Sequence, residues 1–144
     1  RAEADAWTPP PALSDGQHEG ELGAVRRYLL GLLDLRLGDP AAALDRAASL
    51  DGGGRFPASL AATLRGYADL EAGRSEAALE RLDAAMLALP FPVRQTSPLY
   101  GQHLGRLLCA EALRDLGRTD EAERWMASLH DGYYWWGLPY RTGR

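Results

Sequence analysis

The chain has 144 residues, of which 46% are hydrophobic and 25% charged, and a net charge of -4. That is the make-up of one globular domain large enough to bury a core without disulfides or a structural metal. The acidic balance removes any general electrostatic attraction to nucleic acid, no run approaches the ~18 apolar residues of a membrane span, and the single cysteine, Cys109, excludes an internal disulfide.

All sixteen basic residues are arginine, lysine and isoleucine are absent, and Val25 and Val93 are the only β-branched aliphatic residues. The bias matches a GC-rich bacterial genome. Its structural consequence is an all-α protein, because Ala, Leu, Arg and Glu are strong helix formers. The first residue is Arg1 instead of methionine, so the chain is expected to be a piece of a longer protein.

In chain order, residues 1–19 hold Trp7 and three successive prolines and read as an extended lead-in. From about Glu21, Val25, Tyr28, Leu29, Leu32, Leu33 and Leu35 recur at helical spacing until Gly38. A second helix opens at Asp39-Pro40, where the carboxylate can cap free amides and proline fits the first turn, and it runs to the DGGG turn at 51–54. A third helix is expected from about Pro57 to Ala72, and a fourth from Ser75 to Pro90, a residue that cannot continue a helix. After a proline-rich connector, a fifth helix is expected from about Pro98 to Leu116, and a sixth follows Gly117.

The pattern repeats. Gly38, Gly73 and Gly117 each end a first helix, Ala43, Ala78 and Ala122 follow five residues later, and Gly31, Gly66 and Ala110 lie seven residues before. Small residues at such spacing suit helices whose backbones come close. The chain resembles the tetratricopeptide repeat, a helix-turn-helix unit of about 34 residues, over roughly residues 22–130. The middle unit carries Gly66, Gly73, Ala78, Leu82, Ala85 and Pro90 at the family's positions. Unit one has Ala47 where a large residue is usual, and unit three has Leu129 where a small one is usual. The resemblance implies a right-handed superhelical α-solenoid of about three antiparallel helix pairs, with units at about 22–54, 57–90 and 98–130.

Catalytic patterns are thin. His18, His103 and His130 have no second histidine four residues away, so zinc-ligand spacing is missing. Cys109 sits among Leu107, Leu108 and Ala110, the setting of a buried small residue. The DGGG run lacks the GK[ST] ending of a phosphate-binding loop. No cofactor or metal is expected, and an enzyme using His103, Cys109 and Glu111 ranks third among the readings.

By the family resemblance, the first helices would line a groove that takes a peptide or a partner helix. The groove residues would be Tyr28, Leu32 and Arg36 in unit one, Thr63, Tyr67 and Glu71 in unit two, and Leu107, Glu111 and Arg114 in unit three. The first reading is therefore a non-catalytic scaffold or adaptor module of a larger bacterial protein. The alternative is a structural subunit of an assembly held by its terminal segments. For the terminal contacts, the expected residues are Trp7, Trp125, Tyr133, Tyr134, Trp135 and Trp136. The aromatic stretch 131–144 would lead to a cap or a further repeat, with burial of Trp125 and of Trp135 or Trp136. A membrane-interface role for it is disfavoured by its weak charged face. With no export signal visible, the cytoplasm is the default compartment.

Overall fold

The computed structural model describes residues 16–87 and 97–130. Among these residues there are six helices and no strand: α1 Gly16–Arg36, α2 Pro40–Ala48, α3 Arg55–Glu71, α4 Ser75–Ala84, α5 His103–Asp115 and α6 Thr119–His130. The all-α expectation holds.

The three short turns are built alike. Gly38, Gly73 and Gly117 take φ of 76°, 72° and 72°, left-handed values that an L side chain resists by about 1–2 kcal/mol. Each glycine N–H donates to the carbonyl three residues back, on Leu35, Leu70 and Arg114. The next N–H, on Asp39, Arg74 and Arg118, donates to the carbonyl five back, on Asp34, Asp69 and Leu113. These bonds satisfy carbonyls that a helix end leaves unpaired. The following helix starts at the next residue, and its first bonds run from the Ala43, Ala78 and Ala122 amides to the Asp39, Arg74 and Arg118 carbonyls. Asp39 also caps α2 through its carboxylate, which accepts from the Ala42 amide at 3.1 Å.

Helices pair as α1 with α2, α3 with α4 and α5 with α6. Across pairs, α3 packs on α1 and α2, and α5 packs on α3 and α4. One core cluster holds Ala24, Tyr28, Ala47, Leu50, Leu60, Ala61 and Leu64; a second holds Leu82, Leu108 and Cys109; a third holds Ala110, Leu113 and Ala122. The backbone approaches behind them are close. A Cβ on Gly31 would lie 2.6 Å from a Leu64 methyl, and one on Gly66 would lie 2.6 Å from Leu82 Cγ.

The two glycines are filled from different directions for a reason visible in the sequence. Leu82, nine residues after its turn glycine, covers Gly66 from within its own pair. The residue at that place in unit one is Ala47, too short to reach, and Leu64 from α3 occupies the notch instead.

Two helix ends differ from the sequence expectation. α4 stops at Ala84, not at Pro90, because the Ala85 and Met86 amides tighten onto carbonyls three residues back and the Leu87 amide donates to Gln102 Oε1 at 2.8 Å. α5 starts at His103, not near Pro98, because Gln102 adopts a left-handed backbone (φ 51°) and residues 98–102 form a turn. The Gln102 side chain also donates to the Ala85 carbonyl.

Leu64→Ala removes the side chain that fills the Gly31 notch and is expected to cost about 2–5 kcal/mol. Gly73→Ala keeps all packing and is expected to cost about 1–2 kcal/mol through the left-handed backbone alone. Urea unfolding followed by circular dichroism checks both, and the order of the two losses is the decisive result.

Candidate partner-binding face

The residues assigned to the groove fall into three levels along the first helices. Tyr28 and Thr63, in the middle of α1 and α3, are 3% and 7% exposed and belong to the core. Both side chains are packed inside the molecule. Tyr28 joins the cluster with Leu60 and Leu64, and the Thr63 hydroxyl donates back to the Ser59 carbonyl within its own helix. Leu107, Leu32 and Tyr67 are half-buried, with Leu32 against the first cluster and Tyr67 against Leu82, Leu108 and Cys109. Arg36, Glu71, Glu111 and Arg114 are exposed. α1 and α3 are neighbours, as are α3 and α5, and each of these helices carries a half-buried apolar residue followed by exposed charge toward its C-terminal end.

Behind this face lies a repeated ion pair that sequence reasoning missed. Asp34, four residues before Gly38, is fully buried and accepts from Arg46 Nε at 2.7 Å. Asp69, at the same place in unit two, accepts from Arg81 Nε at 3.1 Å and from Arg74 Nη2 at 2.7 Å. Each Asp–Arg pair joins a first helix to its second helix across the same twelve-residue separation. Unit three has Leu113 and Trp125 at the corresponding places, and they pack in one apolar cluster. The signal was available as an Asp four residues before the turn glycine with an Arg twelve residues after the Asp, in units one and two, but it falls outside the family pattern and is invisible to hydrophobic periodicity.

Trp125 is half-buried against Leu113 and the cluster around Leu108. It also lines two open clefts beside α6, of about 280 and 540 Å³. The larger is rimmed by Glu76, Glu80 and Asp83 of α4 and by Glu121, which forms a two-pronged ion pair with Arg118 at 2.6 and 2.7 Å. The hydrogen bonds from Arg118 hold the Glu121 carboxyl below its usual range. Trp7, Tyr133, Tyr134, Trp135 and Trp136 lie outside the described residues.

His103, Cys109 and Glu111 are not brought together. At helical spacing Cys109 and Glu111 point to opposite sides of α5; Cys109 is fully buried and Glu111 exposed. Burial pushes the Cys109 thiol up to about 12, with Asp83 adding to the shift, so the nucleophilic thiolate is suppressed. Burial likewise lowers His103, whose Nδ1 lies 3.2 Å from the Pro98 carbonyl oxygen. Among the described residues no group of three or more His, Cys, Asp or Glu could hold a metal ion, and no helix is long and apolar enough to cross a membrane. No family model, no curated protein and no solved structure matches this chain.

Tyr28 and Cys109 make stability depend on alkaline pH. Burial raises both groups above their ordinary values of 10.0 and 9.0, so above about pH 9 the unfolded chain releases protons that the folded chain keeps. Stability is therefore complete below pH 9 and falls as pH rises, by about 1.4 kcal/mol per pH unit for each group ionised only in the unfolded state. Urea midpoints measured at pH 8 and pH 11 should show the loss, and Tyr28→Phe with Cys109→Ala should flatten it.

Proposed function

We propose that this chain is a non-catalytic protein-interaction module, a tetratricopeptide-like right-handed stack of three helix pairs that binds a peptide or a partner helix along its first helices. The observation that carries the reading is the thrice-repeated glycine turn, with the same backbone hydrogen bonds at Gly38, Gly73 and Gly117. Identical turns give the three helix pairs the same internal connection, which supports repeated units, and a stack of such units offers an extended binding surface without a dedicated active site.

Side-chain chemistry along that surface supports the same function. Tyr67 offers a half-buried aromatic anchor, and Arg36, Glu71, Glu111 and Arg114 offer exposed charges that can select a partner. Leu32 and Leu107 supply apolar area beside them. A second reading, a structural subunit of a larger assembly, draws on a different observation, the exposed leucines of α1.

A fluorescence-polarisation screen of a synthetic library of 15-residue peptides tests the proposal. Sequences bound with Kd below about 100 µM are expected, and Arg36→Glu with Arg114→Glu should weaken them about tenfold or more. Glu80→Arg, on α4 beside the acidic cleft, should leave the same peptides within about twofold. Equal losses for both variants would move the binding surface to α4 and α6, and a screen without any binder would remove the reading.

A further inference from the structure

The larger cleft beside α6, of about 540 Å³, has the size of a ligand pocket, roughly 300–1,000 Å³. Its apolar side is built by Leu79 of α4, by Leu113 and Leu116 at the C-terminal end of α5, and by the half-buried Trp125 of α6. Its polar side carries the carboxylates of Glu76, Glu80, Asp83 and Glu121 against a single guanidinium, that of Arg118. Glu121 is already committed to Arg118 through two short hydrogen bonds. The carboxylates of Glu76, Glu80 and Asp83 make no hydrogen bond or ion pair among the described residues.

A solvated helix face also carries acids, and the internal repeat separates that case from this one. At the repeat intervals, the counterparts of Glu76, Glu80 and Asp83 are Ala41, Asp45 and Ala48 on α2 and Asp120, Arg124 and Ala127 on α6. Three carboxylates in one row therefore occur only on the second helix whose row lines the cleft beside a tryptophan. The row is unfavourable where it stands. Glu76 and Glu80 are four residues apart and Glu80 and Asp83 three, spacings at which like charges repel on a helix, and Asp83 is the last residue but one of α4, at the negative end of its dipole. Acids nearby are neutralised in place, Asp69 by Arg74 and Arg81 and Glu121 by Arg118. At the place of Trp125, units one and two carry Arg46 and Arg81, each bonded to a buried aspartate, so only unit three brings an indole to this surface.

We infer that the cleft between α4 and α6 docks a basic segment of a partner protein through an arginine, whose guanidinium stacks on Trp125 and donates to the α4 carboxylates. Charge complementarity selects this occupant, since a groove with an apolar side and an uncompensated acidic row repels anions and leaves a purely apolar guest beside unpaired charge. Tryptophan is the best of the aromatic side chains at attracting a cation to its ring face. A guanidinium is planar and less strongly hydrated than an ammonium, and its fork of donors can reach carboxylates while its plane lies on the ring. The arginine stem covers apolar surface such as Leu79 and Leu116 on the way in. None of the cleft residues belongs to the first-helix face, so this docking site stands or falls separately from the peptide surface proposed there.

The test is the fluorescence anisotropy of a fluorescein-labelled peptide, GRLGRLG, titrated with the full chain. Control peptides carry citrulline, a neutral isostere, or lysine in place of both arginines. The arginine peptide is expected to bind about tenfold or more tightly than the citrulline peptide and about threefold more tightly than the lysine peptide. Glu80→Gln with Asp83→Asn should weaken the arginine peptide about tenfold, and Trp125→Phe about threefold. Asp120→Asn with Glu123→Gln makes the same change of net charge outside the cleft and should leave the affinity within about twofold. Circular dichroism verifies that each variant is folded. Equal losses for the two double variants would overturn the inference and reduce the binding to diffuse attraction by an acidic protein. An arginine peptide that fails to bind, or binds no better than its citrulline or lysine counterpart, would overturn it as well.

Discussion

The arrangement depends on side chains that are missing. At Gly31 and Gly66 a Cβ would intrude to within 2.6 Å of a leucine, so the helices can sit at their observed separation only because no side chain stands between them. Such approach raises packing density and brings many weak dispersion contacts into play at once. It also restricts what can change. The same leucines, Leu64 and Leu82, are among the largest fully buried side chains, and each depends on the glycine opposite. A pair of this kind must be altered together, if at all.

Against this shared backbone plan, the three units solve the problem of joining first to second helix with different chemistry. Units one and two use a buried aspartate and a partly exposed arginine, and unit three uses Leu113 and Trp125. A buried carboxylate carries a desolvation cost of several kcal/mol that its partner must offset, whereas an apolar pair carries none. The ionic version brings directionality: Asp69 receives guanidinium bonds from both Arg74 and Arg81, which ties the turn and the second helix to one point on α3. The apolar version brings a tryptophan to the margin of a cleft. Unit three is thus the place where a structural position also contributes to the surface.

How far the sequence could be read follows from which forces leave a periodic trace. The positions of the three turn glycines, the Asp39 cap and the small alanines Ala43, Ala78 and Ala122 were legible because each answers a local demand, a left-handed backbone, a free amide or a close approach. The ends of α4 and α5 were not, since they are fixed by Gln102 reaching across to Ala85 and Leu87, a contact between residues that no local rule links. On the candidate face, Arg36, Glu71, Glu111 and Arg114 lie exposed, as surface charges do. The burial of Tyr28 and Thr63 was not legible, because family positions fix a place on the helix and not how deeply the next pair will cover it. The partial exchange of Ala47 for Leu64 shows the same limit, with the compensating residue sitting in another unit.

Gln102 has one more consequence. Its side-chain amide accepts from one backbone group of the chain leaving α4 and donates to another, which fastens the two ends of the connector at residues 85–87 and 102. The turn glycines are 35 residues apart in the first interval and 44 in the second, and the clasp explains how the longer interval leaves the turn geometry untouched. Loop-closure cost grows only slowly with length, so the connector is a tolerant site for inserted sequence. A change in its length would alter the apparent period of the repeat without altering the relation of one helix pair to the next.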